Sequence, residues 1–232
     1  MNKIAIITSI VGNNRNDLSD PSVIHDNVDY WAFVDKDVPS KIWTKYILPD
    51  FTVDDKYRNR RMAKLPKILP ELFIPQYDYY FWVDITHDVV VHPKIIIKQY
   101  LSQHHQEIAV FKHTARKCIY EEAKVLKELK YDYDHNIDNQ IQFYRMLGYP
   151  ENNGLWELLA FVRKNTQKIR TLNLMLWEII SRYSSRDQLA MPFCLWKLGI
   201  TPVILPGYSN GYNEKGLIGN NLLIPQTRMK HI

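Results

Sequence analysis

Short apolar runs rich in Ile, Val and aromatic residues alternate with longer amphipathic stretches along this chain. Residues 3–11, KIAIITSIV, stop at Gly12-Asn13-Asn14 and predict a buried first strand of a parallel sheet. Residues 29–34, DYWAFV, and 42–48, IWTKYIL, predict two more strands, closed by Asp35-Lys36-Asp37 and by Pro49-Asp50. Residues 57–73 read as a helix interrupted by Pro66 and Pro70. Residues 77–84, YDYYFWVD, form a strongly β-prone run ending in Asp84, and 89–91 stay extended. Helices are predicted over 94–105, 119–130, 136–147, 168–183 and 187–198. Strands are predicted over 106–112 and 200–206, while 157–164 reads as a strand or a short helix. Strands that alternate with helices predict one α/β domain spanning 1–232, with a mostly parallel central sheet flanked by helices. The Gly- and Asn-rich residues 207–232 predict a tail wrapped over the surface. Ligands of such sheets sit at the carboxyl ends of the strands.

Composition narrows the class. The chain has 232 residues, 46% hydrophobic and 24% charged, which suits a globular domain with a large core and argues against disorder. The formal charge of +5 suits an anionic ligand such as a nucleotide diphosphate, and equally nucleic acid. The 15 Tyr and 6 Trp serve a core or the apolar faces of sugars. Cys118 and Cys194 make no zinc or CxxC pattern, which favours a reduced compartment. The apolar N-terminal run of only about seven residues is short for a signal peptide, and no stretch approaches the ~20 residues of a membrane span. The expectation is a soluble, cytoplasmic protein.

Chemistry concentrates where a basic segment leads into the Asp-ended aromatic strand. Arg58, Arg60, Arg61, Lys64 and Lys67 precede Asp84 with no acid until Glu71. At helical spacing Arg60, Lys64 and Lys67 share a face, as do Arg61 and Lys64. A departing diphosphate needs cations of this kind, and a strand-end carboxylate can hold a divalent metal against it. Asp84 is the candidate metal ligand, although Thr86 stands where a second acid of a DxD signature would be. Thr8, Ser9 and Ile10, with Asp35, are expected at the nucleoside from their place at the carboxyl edge. In Ser184-Ser185-Arg186-Asp187-Gln188, Asp187 or Gln188 either faces a sugar or stabilises the first turn of the next helix. His113 and Arg116 suit a sugar or phosphate contact, and Asn139 and Gln140 suit hydroxyl recognition. A nucleic-acid-binding module would show a continuous basic stripe, whereas here the cluster abuts an acid-ended strand. A sugar nucleotidyltransferase would call for a Gly-rich first loop, and Gly12-Asn13-Asn14-Arg15 has one Gly.

The motif order resembles the glycosyltransferase-like family named for plant turgor-defect and mucilage-related proteins. The matching pieces are Arg60-Arg61 with Lys67; Phe81-Trp82-Val83-Asp84; the run His113 to Glu122; Asn153-Gly154-Leu155-Trp156-Glu157; Trp177-Glu178-Ile179; and Ser185-Arg186-Asp187-Gln188-Leu189. The chain is also similar to glycosyltransferases by which large algal viruses build capsid glycans, which would place it in host cytoplasm. The resemblance implies a GT-A fold, a nucleotide-sugar donor such as a UDP-sugar, a glycan or glycoprotein acceptor, and a divalent cation, usually manganese, with magnesium the alternative. It also implies donor contacts from Arg61 and Lys67, and a catalytic role for Asp187 and Gln188 like that of the Asp-Gln pair in retaining enzymes. This chain departs from the pattern at Asp84-Ile85, where the family usually has Asp-Gly, and His231 is a poor match to a late His metal ligand.

Overall fold

The computed structural model describes residues 2–12, 18–50, 55–208 and 222–225. Its centre is a seven-stranded sheet built from β1 (Ile4–Ile10), β2 (Asp29–Val34), β3 (Thr44–Ile47), β4 (Tyr79–Val83), β6 (Ile108–Lys112), β7 (Trp156–Lys164) and β8 (Val203–Ile204). The order is β3-β2-β1-β4-β7-β6-β8. All neighbours run parallel except β7, which is antiparallel to both β4 and β6. The expected mostly parallel sheet is therefore present. Residues 157–164 resolve to its one reversed strand, because hydrophobic periodicity carries no strand direction.

Alternation along each strand divides the core. Ala5 and Ile7 of β1, with Tyr80 and Trp82 of β4, face the helices α1 (Arg58–Ile68), α3 (Ile119–Glu128), α4 (Asp134–Met146), α5 (Gln167–Arg182) and α6 (Asp187–Lys197). Ile4, Ile6, Tyr79, Phe81 and Val83 face the other side, where Ile96, Ile97 and Leu101 cover them. The helix expected over 94–105 is instead one α-turn, α2 (Pro93–Ile96), running into a π-helical segment, Ile97–Ser102. The turn begins at His92, whose ring accepts from Lys94 N. The interruption expected at Pro66 is absent, since helix α1 carries that residue internally; the helix ends at Ile68, ahead of a 3-10 turn at Pro70–Leu72, where the second proline predicts a break.

Of the tail expected over 207–232, residues 207, 208 and 222–225 are described. β9 (Leu223–Pro225) pairs antiparallel with β5 (His87–Val89), and Leu222 and Leu223 are buried. Residues 222–225 thus belong to a small second sheet and to the core rather than merely covering it; the remainder of 209–232 lies outside the described residues. No described helix is long and apolar enough to cross a membrane.

Strand order places the ligand edge. The chain leaves β1 for β2 and β3 on one side and returns to β4 on the other. Such a reversal opens a crevice at the carboxyl ends of the two adjacent strands. Phe161, in the middle of β7, lies between β4 and β6 with 1% of its surface exposed. Phe161→Ala is expected to lower the unfolding free energy by about 3–5 kcal/mol, read from the denaturant midpoint at unchanged slope.

Candidate functional site

A cleft of about 470 Å³ opens at the carboxyl ends of β1 and β4. Ser9, Ile10 and Val11 form its β1 wall, and Trp82, Asp84, Ile85 and Thr86 its β4 wall. Helix α1 supplies Arg60, Lys64 and Lys67 from one face, and Arg186 enters from the residue before α6. Ser9 Oγ donates to Ala63 O at 2.8 Å and ties the end of β1 to α1.

Beneath the floor lies Asp187, 3% exposed. Lys64 Nζ bonds its Oδ1, and Lys67 Nζ stands 2.8 Å from its Oδ2. Burial raises the Asp187 carboxyl, but the two ammonium groups outweigh that and hold it far below the ordinary carboxylate range. Burial pushes Lys64 down to about 7, with Lys67 and Arg186 adding like-charge repulsion against the attraction of Asp187. Such a carboxylate is a weak base: its place makes it the counter-ion that aims two lysines at the cleft. Lys67 Nζ also stands 5.2 Å from the centre of the Trp82 ring and 3.9 Å from Asp84 Oδ1.

Asp84 has its Oδ1 fixed by Trp82 Nε1 at 2.8 Å, and its side chain is 43% exposed. An anchored yet accessible carboxylate fits a hard divalent cation. Among the described residues no three His, Cys, Asp or Glu side chains converge. The cleft therefore sets four cationic side chains, Arg60, Lys64, Lys67 and Arg186, against two carboxylates, Asp84 and Asp187. The positive surplus, focused in a crevice, selects an anion. Arg60 shows the crowding: burial and then the charge of Arg186 lower its pKa.

The other expected site residues distribute as follows. Ser9 and Ile10 line the cleft, whereas Thr8 is fully buried and is not among its lining residues. Asp35 lies past the end of β2, where its Oδ2 accepts from Gly12 N at 2.9 Å; it holds Gly12 just past β1 and is not among the described residues lining the cleft. Arg61 turns from the cleft. Its Nε donates to Asp55 at 2.7 Å and its two Nη groups to the carbonyls of Ile180 and Tyr183 at the end of α5. Arg60 and Lys64 take the cleft positions instead; their shared helical face with Lys67 was the available signal. Gln188 accepts from Arg186 Nη2 at 2.9 Å at the start of α6.

His113 and Arg116 form a brace with Glu122 at the start of α3, outside the cleft. Arg116 Nε donates to Glu122 Oε2 at 2.6 Å, and His113 Nδ1 accepts from the backbone of Ala115 and Arg116. Burial lowers the His113 pKa against the pull of Glu122 and Glu157. Gln140 is buried, donating to Tyr144 Oη at 2.6 Å and accepting from Ser184 N at 3.2 Å. Asn139 is exposed on α4. Gly154 has φ +94°, and a Cβ there would lie 2.7 Å from the Trp156 ring, which explains Gly in the Asn-Gly-Leu-Trp-Glu motif.

A cationic cleft at the switch point of a Rossmann-like sheet suits a phosphorylated ligand. Residues 3–206 match the TOD1/MUCI70, glycosyltransferase-like domain, and the chain belongs to that family. It is similar to the "Probable hexosyltransferase MUCI70" of Arabidopsis thaliana, with 24% identity over 212 residues, 80% of this chain and 36% of that protein. The chain thus spans about a third of the length of that curated relative.

Arg61 generates a separable prediction. Arg61→Ala leaves Asp55 and two helix-end carbonyls without their donor and is expected to cost about 1–3 kcal/mol of stability. Lys67→Ala is expected to weaken UDP binding by about 1.5–3 kcal/mol, while folded Arg61→Ala binds UDP like the parent. Denaturation and calorimetry on the two variants read both effects.

Proposed function

We propose that this protein is a glycosyltransferase that takes a hexose from a UDP-hexose donor and delivers it to a hydroxyl of a glycan or glycoprotein. The four-cation cleft at the β1/β4 edge carries the reading. Lys64, Lys67, Arg60 and Arg186 would hold the diphosphate and stabilise the charge it gains on leaving. Ser9 and Ile10 would bound the nucleoside. Family membership and the hexosyltransferase name of the Arabidopsis relative support the same reaction class. The expectation of a GT-A-type fold agrees with a sheet of this order and with a cleft beside an Asp-ended strand.

A manganese or magnesium ion bound to Asp84 would neutralise the diphosphate further. Asp84 would bring one protein oxygen, with phosphate oxygens and water completing the sphere. In the transfer, the bond between the sugar's anomeric carbon and the phosphate oxygen breaks. The acceptor oxygen bonds to that carbon, and its proton passes to the leaving diphosphate. Retention of configuration suits this route. Asp84 is the one carboxylate among the described residues lining the cleft, and Asp187, pinned under Lys64 and Lys67, is poorly placed as an inverting base. Asp187 would then serve the reaction by aiming the lysines, and Gln188 by fixing Arg186.

Titration with UDP and UDP-hexoses, with and without manganese, followed by NMR of the product anomer, tests the proposal. Asp84→Asn is expected to lose the manganese-dependent part of UDP affinity and the transfer activity together. Absence of UDP binding, or manganese enhancement intact in Asp84→Asn, would remove respectively the donor class or the cation site.

Lys64 adds a pH dependence. An anion beside it raises its pKa above about 7, so donor binding takes up a proton. Affinity for UDP-glucose, whose diphosphate does not titrate here, is expected to fall as pH rises from about 7 to about 9, by up to about tenfold per unit. Calorimetry across that range should show the slope in the parent and not in Lys64→Met; a flat parent curve contradicts the assignment.

A further inference from the structure

Beside the cleft, the structure exposes aromatic rings that the donor site leaves unused. Tyr131 and Tyr133, in the turn between α3 and α4, are 43% and 37% exposed. They adjoin the cleft through two of its lining residues, Arg186 and Arg60. The Arg186 guanidinium, which lines the cleft, lies over the Tyr131 ring at 5.1 Å. Arg60, on the cleft's other wall, donates to the Tyr131 carbonyl and lies over the Tyr57 ring at 4.8 Å. Tyr57 meets Tyr133 edge to face at 5.0 Å, and Tyr133 stacks on His135 at 5.5 Å and 22°.

A second observation ties this ledge to the cleft. Asp132, between the two tyrosines, is 3% exposed and accepts four hydrogen bonds. Its Oδ1 takes the N–H of Tyr133 at 2.8 Å. Its Oδ2 takes Ser185 N at 2.7 Å, Ser185 Oγ at 2.6 Å and Ser184 Oγ at 3.1 Å. One buried carboxylate therefore sets the ledge and the turn presenting Arg186 and Asp187 in fixed relation. Those bonds outweigh burial and keep its pKa below the ordinary value, so the clamp is ionised at neutral pH.

We infer that Tyr131 and Tyr133 form the acceptor subsite, a stacking platform for a pyranose ring of the glycan that receives the sugar. The inference rests on the transferase reading above. A pyranose has an apolar face of axial C–H groups that packs on an aromatic ring, and its hydroxyls stay free for solvent and the reaction. Tyr presents such a face at low entropic cost, with a hydroxyl at its rim. Charge separates the two subsites: phosphate favours the cationic cleft, while a neutral sugar favours the ledge next to it. The uracil base is the competing occupant, and the experiment distinguishes it.

Saturation-transfer NMR with methyl glucoside, methyl galactoside and methyl mannoside, in the presence and absence of UDP, reads the ledge directly. UDP calorimetry on the same samples reads the donor site. At least one glycoside should receive saturation in the parent. Tyr133→Ala and Tyr131→Ala should each weaken that glycoside by about tenfold. Tyr133→Phe should keep it, and UDP affinity should stay within about twofold in Tyr133→Ala and Tyr133→Phe. Glycoside binding in a parent that fails to bind UDP would sink the donor proposal and keep the ledge. Three outcomes overturn the ledge: no glycoside signal in the parent, undiminished signal in both Ala variants, or loss of UDP affinity in Tyr133→Ala, which would assign the ring to the base.

Discussion

Asp187 lies at the base of the cleft with both carboxylate oxygens facing lysines, and the arrangement of the site depends on that pairing. Lys64 and Lys67 lie one turn apart on α1, and 123 residues separate Lys64 from the carboxylate that holds it. Two buried ammonium groups this close would repel, lose their protons or turn outward without a counter-charge. The carboxylate keeps them in place and joins α1 to α6. Such a buried ion cluster contributes little net stability, because desolvation offsets the attraction. Its effect is placement: cationic side chains converge on one crevice, with too few acids to neutralise them. The positive surplus is then a property of the fold itself.

A second buried network holds the same helix from behind. Arg163 of β7, 1% exposed, donates to the carbonyl of Lys67 and, at 3.0 Å, to Asn173 Oδ1. Asn173 Nδ2 in turn reaches the Glu71 carboxylate at 3.1 Å and 3.2 Å. Burial pulls Arg163 down to about 10 while Glu71 holds it up, so it stays charged in the core. The reversed strand of the sheet thus grips the end of α1, one residue of which reaches into the cleft. Arg61, on that helix, ties it to the end of α5. With Asp187 these contacts fix α1 from three directions and hold its cationic face in place at the cleft.

The fold was legible because its signals are local. Alternation and β-branched runs gave most strands within a residue or two, and Pro70 follows the end of α1 as expected, although Pro66 sits inside the helix instead of interrupting it. The π-helical turn at Ile97–Ser102 and the reversal of β7 were hidden, since both depend on packing against distant segments. The site was legible in part for the same reason. Helical spacing put Arg60, Lys64 and Lys67 on one face, and the strand end put Asp84 beside them. What spacing could not give was the direction of Arg61 or the burial of Asp187, because each is decided by a partner more than a hundred residues away.

The motifs that carry the family resemblance illustrate how recognition and contact differ. Arg61, His113, Arg116, Glu122 and Gly154 all belong to matched motifs, and all spend their chemistry on the scaffold. A buried charge or a left-handed glycine is costly to replace, so such positions give a fold a strong sequence signature whether or not they touch ligand. Arg186, by contrast, sits in a matched motif beside the more conspicuous Asp187-Gln188 pair and is the member that lines the cleft. Its neighbours serve it: Gln188 accepts one of its N–H groups, Tyr131 supports its plane, and Asp132 holds the turn before it. A guanidinium so supported has little freedom left to lose on meeting any anion. The polar residues around it are therefore best understood as what holds it rigid at the cleft.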